Sequence, residues 1–340
     1  MSETSLQTDV AIVGAGPAGL FAVFELGMLR LGAVLIDALD VVGGQCTALY
    51  PEKPIYDIPA HPEITAGALV EQLEMQIAPF AAPRLLGERA VTLEGNAGAF
   101  TLTTDRGSVV RCKAVIIAAG SGAFGPNRPP LERLAEFEAG GAVRYYLRQR
   151  EEMRAKRVVI AGGGDAAVDW ALALADVAAS VHLVHRRAKF RAAPESAARL
   201  AELAAQGAVD LVTPFQLHAL HGEGGKLAFV EVADLDGASR RIEADVLLAF
   251  FGLAADLGPL AGWGLELAGH QIAVDPATGA TSRKGVFAIG DIAAAPGKLK
   301  LILQGFAEAA VAAHAIHPIV HPEQALHFAY STSLGRPGGD

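Results

Sequence analysis

The chain has 340 residues, of which 51% are hydrophobic and 19% are charged, and this composition excludes an intrinsically disordered protein. The length is sufficient for two ordinary domains with a large core. The formal net charge of −9 argues against a nucleic-acid partner, because nucleic-acid phosphates require a basic face.

The first predicted elements are a strand, a glycine turn, a helix and a second strand. A short apolar run at residues 10–13 predicts a buried strand, and residues 20–31 have the pattern of a helix. Residues 33–36 predict the second strand, which ends at Asp37. The turn between the first strand and the helix contains Gly14, Ala15, Gly16, Pro17, Ala18 and Gly19. This order is that of a dinucleotide-binding unit.

The same order of elements recurs from residue 157 onward. Residues 158–161 and 181–184 predict two buried strands, and the second of them ends at His185. The turn between them contains Gly162, Gly163, Gly164, Asp165, Ala166 and Ala167. In both copies, 23 residues separate the first glycine from the residue that ends the second strand. Two copies in step predict two dinucleotide sites; the alternative is a pair of tight turns in an ordinary parallel sheet.

Each position of the glycine turn has a physical role. The first glycine permits the tight turn, and the second lets the main chain touch a pyrophosphate. The third position, Gly19 or Ala167, must be small so that the helix packs on the strand. The pyrophosphate then lies at the helix N-terminus, where free N–H groups and the helix dipole favour an anion.

The residues at the ends of the second strands distinguish the two ligands. Asp37 can accept hydrogen bonds from ribose hydroxyls and would repel a 2′-phosphate, so the first site suits FAD or NAD. Guanidinium groups bind phosphate in a planar fork, so the second site suits the 2′-phosphate of NADPH. The alternative is a solvated basic loop. The basic residues at this second site are His185, Arg186, Arg187, Lys189 and Arg191.

A third element pattern lies near the C-terminus. Residues 285–291 predict a strand that ends in Gly290 and Asp291. This resembles the second FAD fingerprint of two-dinucleotide flavoproteins, in which the aspartate binds the ribityl chain. A helix is predicted at residues 303–316, and the resemblance implies that its N-terminus points at the N1–C2=O edge of the flavin.

The predicted architecture is α/β, with two Rossmann-like domains. Residues 1–122 and 283–340 form the FAD-binding domain, and residues 123–282 form an NADPH-binding domain inserted into it. The apolar strands at residues 114–120 and 245–252 follow β-rich meanders in the two domains. Short glycine-containing linkers connect the domains and suit rotation of one on the other.

These fingerprints resemble the thioredoxin-reductase-like flavoproteins. Two stretches, residues 43–59 and residues 328–334, are similar to bacterial ferredoxin/flavodoxin–NADP⁺ reductases of this type. Thioredoxin reductases carry a redox C-x-x-C before the second glycine turn, but residues 142–148 contain no cysteine. Because a dithiol relay needs two nearby thiols, reduction of thioredoxin is excluded and Cys46 is expected to be a bystander.

The resemblance also implies roles for individual residues. Tyr50 is expected against one face of the isoalloxazine and Tyr330 against the other, with Ser331 or Thr332 near N5 as a hydrogen-bond donor. Stacked rings exclude water and hold the flavin flat. The alternative is that the tyrosines are ordinary packed side chains. Further expected cofactor contacts are Gln45, Asp57, Ala90, Phe124 and Thr332.

We therefore predict an FAD-dependent oxidoreductase that transfers electrons between NADPH and ferredoxin or flavodoxin. The resemblance implies a homodimer, and no metal site is expected. One alternative is an NADPH-dependent flavin reductase or oxidase that acts on a small molecule. A second alternative is a non-catalytic flavin redox sensor.

An acidic carrier protein would need a local basic patch on this acidic chain. Lys298 and Lys300 fall between the Gly-Asp strand and the helix aimed at the flavin, so we expect them to rim the ring. The second choice is a denser cluster that could equally be a solvated helix face. Its members are Arg144, Arg148, Arg150, Arg154, Lys156 and Arg157.

The expected location is the cytoplasm. Cys46 and Cys112 lie far apart and outside any C-x-x-C motif, which favours a reducing compartment. Residues 1–9 lack the charged and apolar regions of a signal peptide. The most membrane-like stretch begins at residue 246, but Asp256 interrupts it before a bilayer could be crossed.

Overall fold

The computed structural model describes residues 4–120, 122–327 and 330, and the chain divides into two compact units. The first unit contains Met1–Phe124 and Ala255–Asp340, and the second contains Gly125–Ala254. The chain crosses the boundary between the units within two short strands, Ala123–Pro126 and Leu253–Asp256.

The first unit begins with fourteen elements. They are β1 (Ser5–Gln7), β2 (Val10–Val13), α1 (Pro17–Met28), β3 (Ala33–Asp37), α2 (Gln45–Ala48), β4 (Pro54–Ile55), β5 (Ile64–Thr65), α3 (Ala66–Ile77), β6 (Arg84–Leu86), β7 (Ala90–Asn96), β8 (Ala99–Thr104), β9 (Val109–Cys112), β10 (Ala114–Ile117) and β11 (Ala123–Pro126). Helix α1 starts at Pro17, because proline at the first helical position costs no hydrogen bond.

The elements of the second unit follow in chain order. They are α4 (Leu134–Ala139), β12 (Val143–Arg144), β13 (Arg157–Ala161), α5 (Asp165–Leu174), β14 (Ser180–Val184), α6 (Pro194–Ala205), β15 (Asp210–Val212), β16 (Gln216–Glu223), β17 (Lys226–Ala233), β18 (Ser239–Glu243), β19 (Val246–Ala249) and β20 (Leu253–Asp256). The chain then returns to the first unit. This last segment contains β21 (Leu267–Ala268), β22 (Gln271–Ala273), β23 (Val286–Ala288), β24 (Ala293–Ala294) and α7 (Ile302–Val320).

The core of the first unit is a five-stranded parallel sheet in the order β23-β10-β2-β3-β6. Its central strands are apolar on both faces because both faces are covered. Helices α1, α3 and α7 pack on the face that contains Ile12, Leu35 and Ile116. The meander β7–β9 packs on the opposite face, against Val13 and Ile117.

The second unit repeats this plan. Its parallel sheet has the order β12-β19-β13-β14-β15, with the strand before the glycine turn again at the centre. Helices α5 and α6 pack on one face, and the antiparallel meander β16–β18 packs on the other. Both predicted dinucleotide-binding units and both predicted meanders are therefore present in the structure.

The second predicted domain boundary, between residues 282 and 283, is wrong as a division of compact units. The chain re-enters the first unit at Ala255. Trp263 donates from its indole N–H to the Val91 carbonyl at 3.0 Å. Arg283 donates to the carbonyls of Trp263 at 2.9 Å and Leu93 at 3.1 Å. These hydrogen bonds attach the segment that ends at Arg283 to β7 of the first unit.

Two further sequence predictions can be compared with the structure. The helix predicted at residues 303–316 is α7, which is longer at both ends. The apolar stretch that begins at Val246 forms the buried strand β19. Among the residues that the structure describes, no helix has both the length and the apolar character needed to span a membrane.

Candidate functional site

The first unit contains a cavity of ≈360 Å³ at the carboxyl ends of its parallel strands. The last residue of β2, the last two residues of β3 and the segment after β10 all line it. In open α/β sheets ligands bind in the crevice outside the carboxyl ends of the strands. The predicted site residues that line this cavity are Gly14, Gly16, Pro17, Ala18, Asp37, Gln45, Tyr50, Ala90 and Asp291.

The glycine turn of the first unit forms one wall of the cavity. Gly14 has φ +113°, and a Cβ atom there would lie 2.3 Å from the Ala118 carbonyl oxygen. A Cβ atom on Gly19 would lie 1.9 Å from the Gly14 oxygen, so these two glycines let helix and strands approach. Gly16 differs, because a Cβ atom there would meet open space. Gly16 is the N-cap of α1, so the helix N-terminus opens into the cavity.

Asp37 closes the end of β3 and holds the glycine turn. Its carboxylate accepts hydrogen bonds from the main-chain N–H of Ala15 at 2.6 Å and of Leu39 at 2.8 Å. Burial raises the pKa of Asp37, and the two backbone donors act against that rise. The carboxylate is therefore tied to the turn and still borders the cavity, where hydroxyl donors suit it better than a phosphate.

The opposite wall comes from the C-terminal segment. Gly290 and Asp291 line the cavity, together with Leu301, Ile302 and Gly305 at the start of α7. A Cβ atom on Gly305 would lie 3.0 Å from the Ala18 Cβ, so the N-termini of α7 and α1 lie close together. The predicted Gly-Asp strand end and the predicted helix therefore reach one site, which contains two helix N-termini.

Three side chains from residues 43–59 line the cavity, namely those of Gln45, Cys46 and Tyr50. Tyr50 lies there with the Lys53 ammonium 5.9 Å from its ring centroid. Burial is the main cause that raises the pKa of Tyr50, so its hydroxyl stays protonated. Burial likewise raises the pKa of Cys46 to about 11, which keeps this side chain a thiol.

Some predicted site residues do not line the cavity, and others lie outside the described part of the chain. Asp57 is exposed and does not line the cavity. Tyr330 is 72% exposed and does not line it either. Ser331 and Thr332 lie outside the described residues, and so does the side chain of Phe124. For these last three residues the sequence prediction stays a prediction.

Some residues of the cavity were not predicted from the sequence. Glu88 and Arg89 line it beside Ala90, and Glu88 accepts a hydrogen bond from the Thr104 hydroxyl at 2.6 Å. The position of Arg89, directly before a residue that was predicted to contact the cofactor, is the signal that could have indicated it. Leu257, Pro259 and Leu260 were missed because their segment was assigned to the other domain.

The second glycine turn, in the second unit, is covered by a histidine ring. A Cβ atom on Gly163 would lie 2.1 Å from the Cε1 atom of His185, so the ring lies on this glycine. The same ring stacks on Phe190, with ring centroids 5.3 Å apart. Gly164, the N-cap of α5, is exposed, and a Cβ atom there would meet open space.

Three arginines surround His185. Burial is the main cause that lowers the pKa of His185, and the charges of Arg186, Arg187 and Arg191 lower it further. These guanidinium groups are exposed. The main-chain N–H of Arg191 donates to the Gly163 carbonyl at 2.6 Å, and this bond holds the basic loop beside the glycine turn. Asp165 accepts a hydrogen bond from the Ala193 N–H at 2.9 Å. The predicted second site is thus a basic surface around an exposed helix N-terminus.

The predicted basic rim of the flavin site is partly wrong. The Lys298 side chain is only 7% exposed and forms an ion pair with Glu308, so its charge is not available to a partner. Lys300 is exposed. In the second candidate cluster, Arg144 pairs with Glu152, and Arg157 pairs with Asp245 and Glu243. Internal pairing therefore removes much of the excess positive charge that the sequence suggested.

The described residues contain no group of three or more His, Cys, Asp or Glu side chains arranged to hold a metal ion.

Comparisons with known proteins agree with the two-unit architecture. The family model described as pyridine nucleotide-disulphide oxidoreductase matches residues 8–315. A "Ferredoxin--NADP reductase" of Acidiphilium cryptum is 71% identical over 338 residues, which are 99% of each chain. A protein of the same description from Granulibacter bethesdensis is 68% identical, over 98% of this chain and 95% of that protein.

Solved structures have the same fold at low sequence identity. A thioredoxin reductase of Lactococcus lactis superimposes with a TM-score of 0.78 at 21% identity, over 93% of this chain and 99% of that chain. A thioredoxin reductase of T. acidophilum has a TM-score of 0.78 at 22% identity, over 92% of this chain and 98% of that chain.

Proposed function

The chain belongs to the pyridine nucleotide-disulphide oxidoreductase family, and we propose that it is an FAD-dependent oxidoreductase that transfers electrons between NADPH and a ferredoxin or flavodoxin. The observation that carries the proposal is the first-unit cavity, which is lined by two helix N-termini and by Asp37 and Asp291. Relatives described as ferredoxin–NADP reductases match essentially the whole chain, which supports the same activity here.

The polar groups of the cavity fit the parts of FAD in order. The open N-terminus of α1 at Gly16 suits the pyrophosphate, and Asp37 suits the hydroxyls of the adenosine ribose. On the opposite wall, Asp291 suits the ribityl hydroxyls, and the start of α7 suits the polar edge of the flavin ring. When bound, FAD supplies a centre that accepts a hydride at N5 and gives up electrons one at a time.

Two tyrosines are proposed to cover the flavin ring. Tyr50 already lines the cavity, so one face of the ring would lie against it. Tyr330 is proposed for the other face, with Ser331 or Thr332 near N5. Such rings exclude water from the site where hydride is transferred.

The second unit is proposed to bind NADPH. The exposed N-terminus of α5 at Gly164 is proposed to bind the pyrophosphate. Arg186, Arg187 and Arg191 follow the end of β14 and are proposed to bind the 2′-phosphate. His185 stays neutral because its pKa is lowered, so it adds no charge and leaves phosphate binding to the guanidinium groups.

Electrons are proposed to leave directly from the flavin. The only cysteines of the chain are Cys46 and Cys112, both in the first unit and both buried. Burial raises the pKa of Cys112 to about 12, so it resembles Cys46 in being an unreactive thiol. With no pair of nearby thiols, the protein needs an acceptor that takes electrons from the flavin itself.

The physiological setting is part of the same proposal. Two free, buried thiols suit the reducing cytoplasm. We also propose a homodimer, which sedimentation at several protein concentrations can test.

The proposal is tested by stopped-flow spectroscopy of the protein after FAD reconstitution. NADPH should bleach the flavin, and ferredoxin or flavodoxin should restore its colour and support cytochrome reduction. Fast oxygen consumption without a carrier would instead indicate a flavin oxidase. Tight FAD binding with no turnover of NADPH would indicate a sensor.

A further inference from the structure

Lys298 and Glu308 form one of the most buried ion pairs among the described residues of the first unit. The two side chains are 7% and 13% exposed. Glu308 lies in the second turn of α7, and Lys298 lies in the loop between β24 and α7. Burial of two charges is unfavourable unless the pair is well hydrogen-bonded, so an ion pair in this place calls for a role.

Glu308 also binds the main chain at Gly290, next to Asp291 of the cavity wall. Its second carboxylate oxygen accepts a hydrogen bond from the Gly290 N–H at 2.7 Å. Gly290 has φ +70°, a conformation that glycine adopts without strain, and it precedes Asp291 on the cavity wall. The Glu308 carboxylate therefore holds the residue directly before Asp291, whose side chain is proposed to bind the ribityl chain.

The same pair closes the loop that joins the two parts of this wall. The segment from Asp291 to Leu301 contains β24 and the loop that leads into α7, and both of its ends line the cavity. Lys298 reaches from the loop to Glu308 on the helix. The helix lies beside the turn, because a Cβ atom on Gly305 would be in van der Waals contact with the Gly290 Cα at 3.5 Å. The pair thus connects the turn, the loop and the helix N-terminus.

We propose that Glu308 and Lys298 are positioning residues of the flavin site, a role that rests on the proposed binding of FAD. Glu308 holds the Gly290–Asp291 turn in register with the start of α7. Lys298 neutralises Glu308, so that this wall carries no net charge from the pair. The hydrogen bond governs FAD affinity, and the charge balance governs the reduction potential of the bound flavin.

The two contributions can be separated by substitution. Glu308→Gln keeps an oxygen for the Gly290 N–H but leaves the Lys298 cation unbalanced, which favours added electrons. Lys298→Met leaves the Glu308 anion unbalanced and disfavours them. Each change should alter the ratio of reduced to oxidised flavin about tenfold, in opposite directions, which is about 30 mV for a two-electron couple. The double variant Lys298→Met/Glu308→Gln should return to within threefold of the wild-type ratio.

A further variant isolates the hydrogen bond. Glu308→Ala in the Lys298→Met background is neutral but has no acceptor for the Gly290 N–H. The Kd for FAD should rise about tenfold relative to Lys298→Met/Glu308→Gln, while the potential stays close to that of the wild type. Thermal unfolding of each apoprotein shows whether it is folded before FAD is added.

The controls are Lys284→Met and Glu266→Gln, which remove one exposed charge each from the first unit. They should change neither the Kd for FAD nor the potential. The proposal is overturned if both single variants shift the potential in the same direction, or if neither shifts it. It is also overturned if the two neutral double variants bind FAD equally well. If a single variant fails to fold, the two double variants still decide the role of the hydrogen bond.

Wild-type protein is measured first, so that the two proposals fail separately. Wild-type protein that takes up no FAD contradicts the proposed function, and the positioning role falls with it. Wild-type protein that binds FAD and is reduced by NADPH, combined with unaffected variants, contradicts the positioning role alone.

Discussion

The two glycine turns lie in the same arrangement of strands and helix, but different side chains surround them. In each unit the turn follows the central strand of a parallel sheet, and the next strand ends beside it. In the first unit that strand ends at Asp37, whose carboxylate is tied to the Ala15 N–H. In the second unit it ends at His185, whose ring lies on Gly163. A helix N-terminus in this arrangement favours an anion, and we propose that the residue at the strand end selects the ligand.

The two turns also differ in enclosure. The first opens into a cavity that a second helix N-terminus, from α7, completes. In the second unit, Gly164 and the nearby arginines are exposed. A cavity with walls on two sides suits a cofactor that stays bound, and an exposed basic surface suits a nucleotide that exchanges in each cycle.

Alanine in the two turns should give the largest contrast. Gly14→Ala places a Cβ atom against the Ala118 carbonyl at a residue with φ +113°. Overpacking and backbone strain together should lower the free energy of unfolding by roughly 2–6 kcal/mol. Gly164 has φ −98°, and a Cβ atom there would meet open space. Gly164→Ala should therefore change the free energy of unfolding by no more than about 0.5 kcal/mol. Urea unfolding and FAD content measure both variants, and equal effects would contradict the distinction.

Removing the basic groups of the second unit should weaken the binding of NADPH and leave the binding of FAD unchanged. The double variant Arg186→Ala/Arg187→Ala should raise KM for NADPH roughly 100-fold and leave kcat nearly unchanged, because these groups bind substrate and transition state alike. The Arg241→Ala variant is the control, because that guanidinium lies over the Phe229 ring, 3.7 Å from its centroid. Steady-state kinetics with NADPH and NADH provide the test, and wild-type protein that uses both nucleotides equally would contradict it.

The carrier should dock on the first unit rather than the second. Lys300 is exposed and precedes Leu301 of the cavity wall. Lys300→Glu should slow carrier-dependent cytochrome reduction roughly threefold to tenfold at low salt, because charge mainly affects the rate of association. Arg148→Glu, on the second unit, is the matched charge reversal and should have little effect. NADPH-to-ferricyanide turnover should be unchanged in both variants, and a slower rate in Lys300→Glu would indicate damage to the flavin site instead.

The smallest effect is expected from the thiols. Both cysteines lie in the first unit, and replacing Cys46 and Cys112 with serine should leave carrier reduction within about twofold of the wild type. With a pKa of about 11, Cys46 is thiolate in only about one molecule in a thousand at pH 8. Alkylation of native protein should therefore be slow at pH 8 and become faster as the pH rises toward 11. Loss of activity with FAD retained would reveal a thiol role.

The local patterns of the chain predicted most of the site. The two glycine turns and the strand ends at Asp37 and His185 follow from spacing and composition, whereas the Gly290–Asp291 turn was identified by its resemblance to an FAD fingerprint. These features are local, because each depends on the conformation of a few consecutive residues. Parallel strands then bring their carboxyl ends together, so the cavity follows from the order of the elements.

The errors arose where long-range contacts decide the outcome. The segment after Ala255 belongs to the first unit because Arg283 and Trp263 bind the carbonyls of β7, more than 170 residues away along the chain. Nothing in the local pattern of that segment indicates these partners. Leu257 and its neighbours were therefore assigned to the wrong domain and missed as part of the cavity wall.

The sequence by itself determined the repeated βαβ frame, the position of each glycine turn and the charge at the end of each second strand. Periodicity and spacing are sufficient for these features, since they describe neighbours along the chain. The tertiary structure alone decided which charges remain available. Lys298 and Lys300 are only two residues apart, but within the described part of the chain Lys298 is the one that pairs with a carboxylate, that of Glu308, away from solvent. A charge is available to a partner only where folding leaves it solvated and unpaired, and folding brings together residues that the sequence keeps apart.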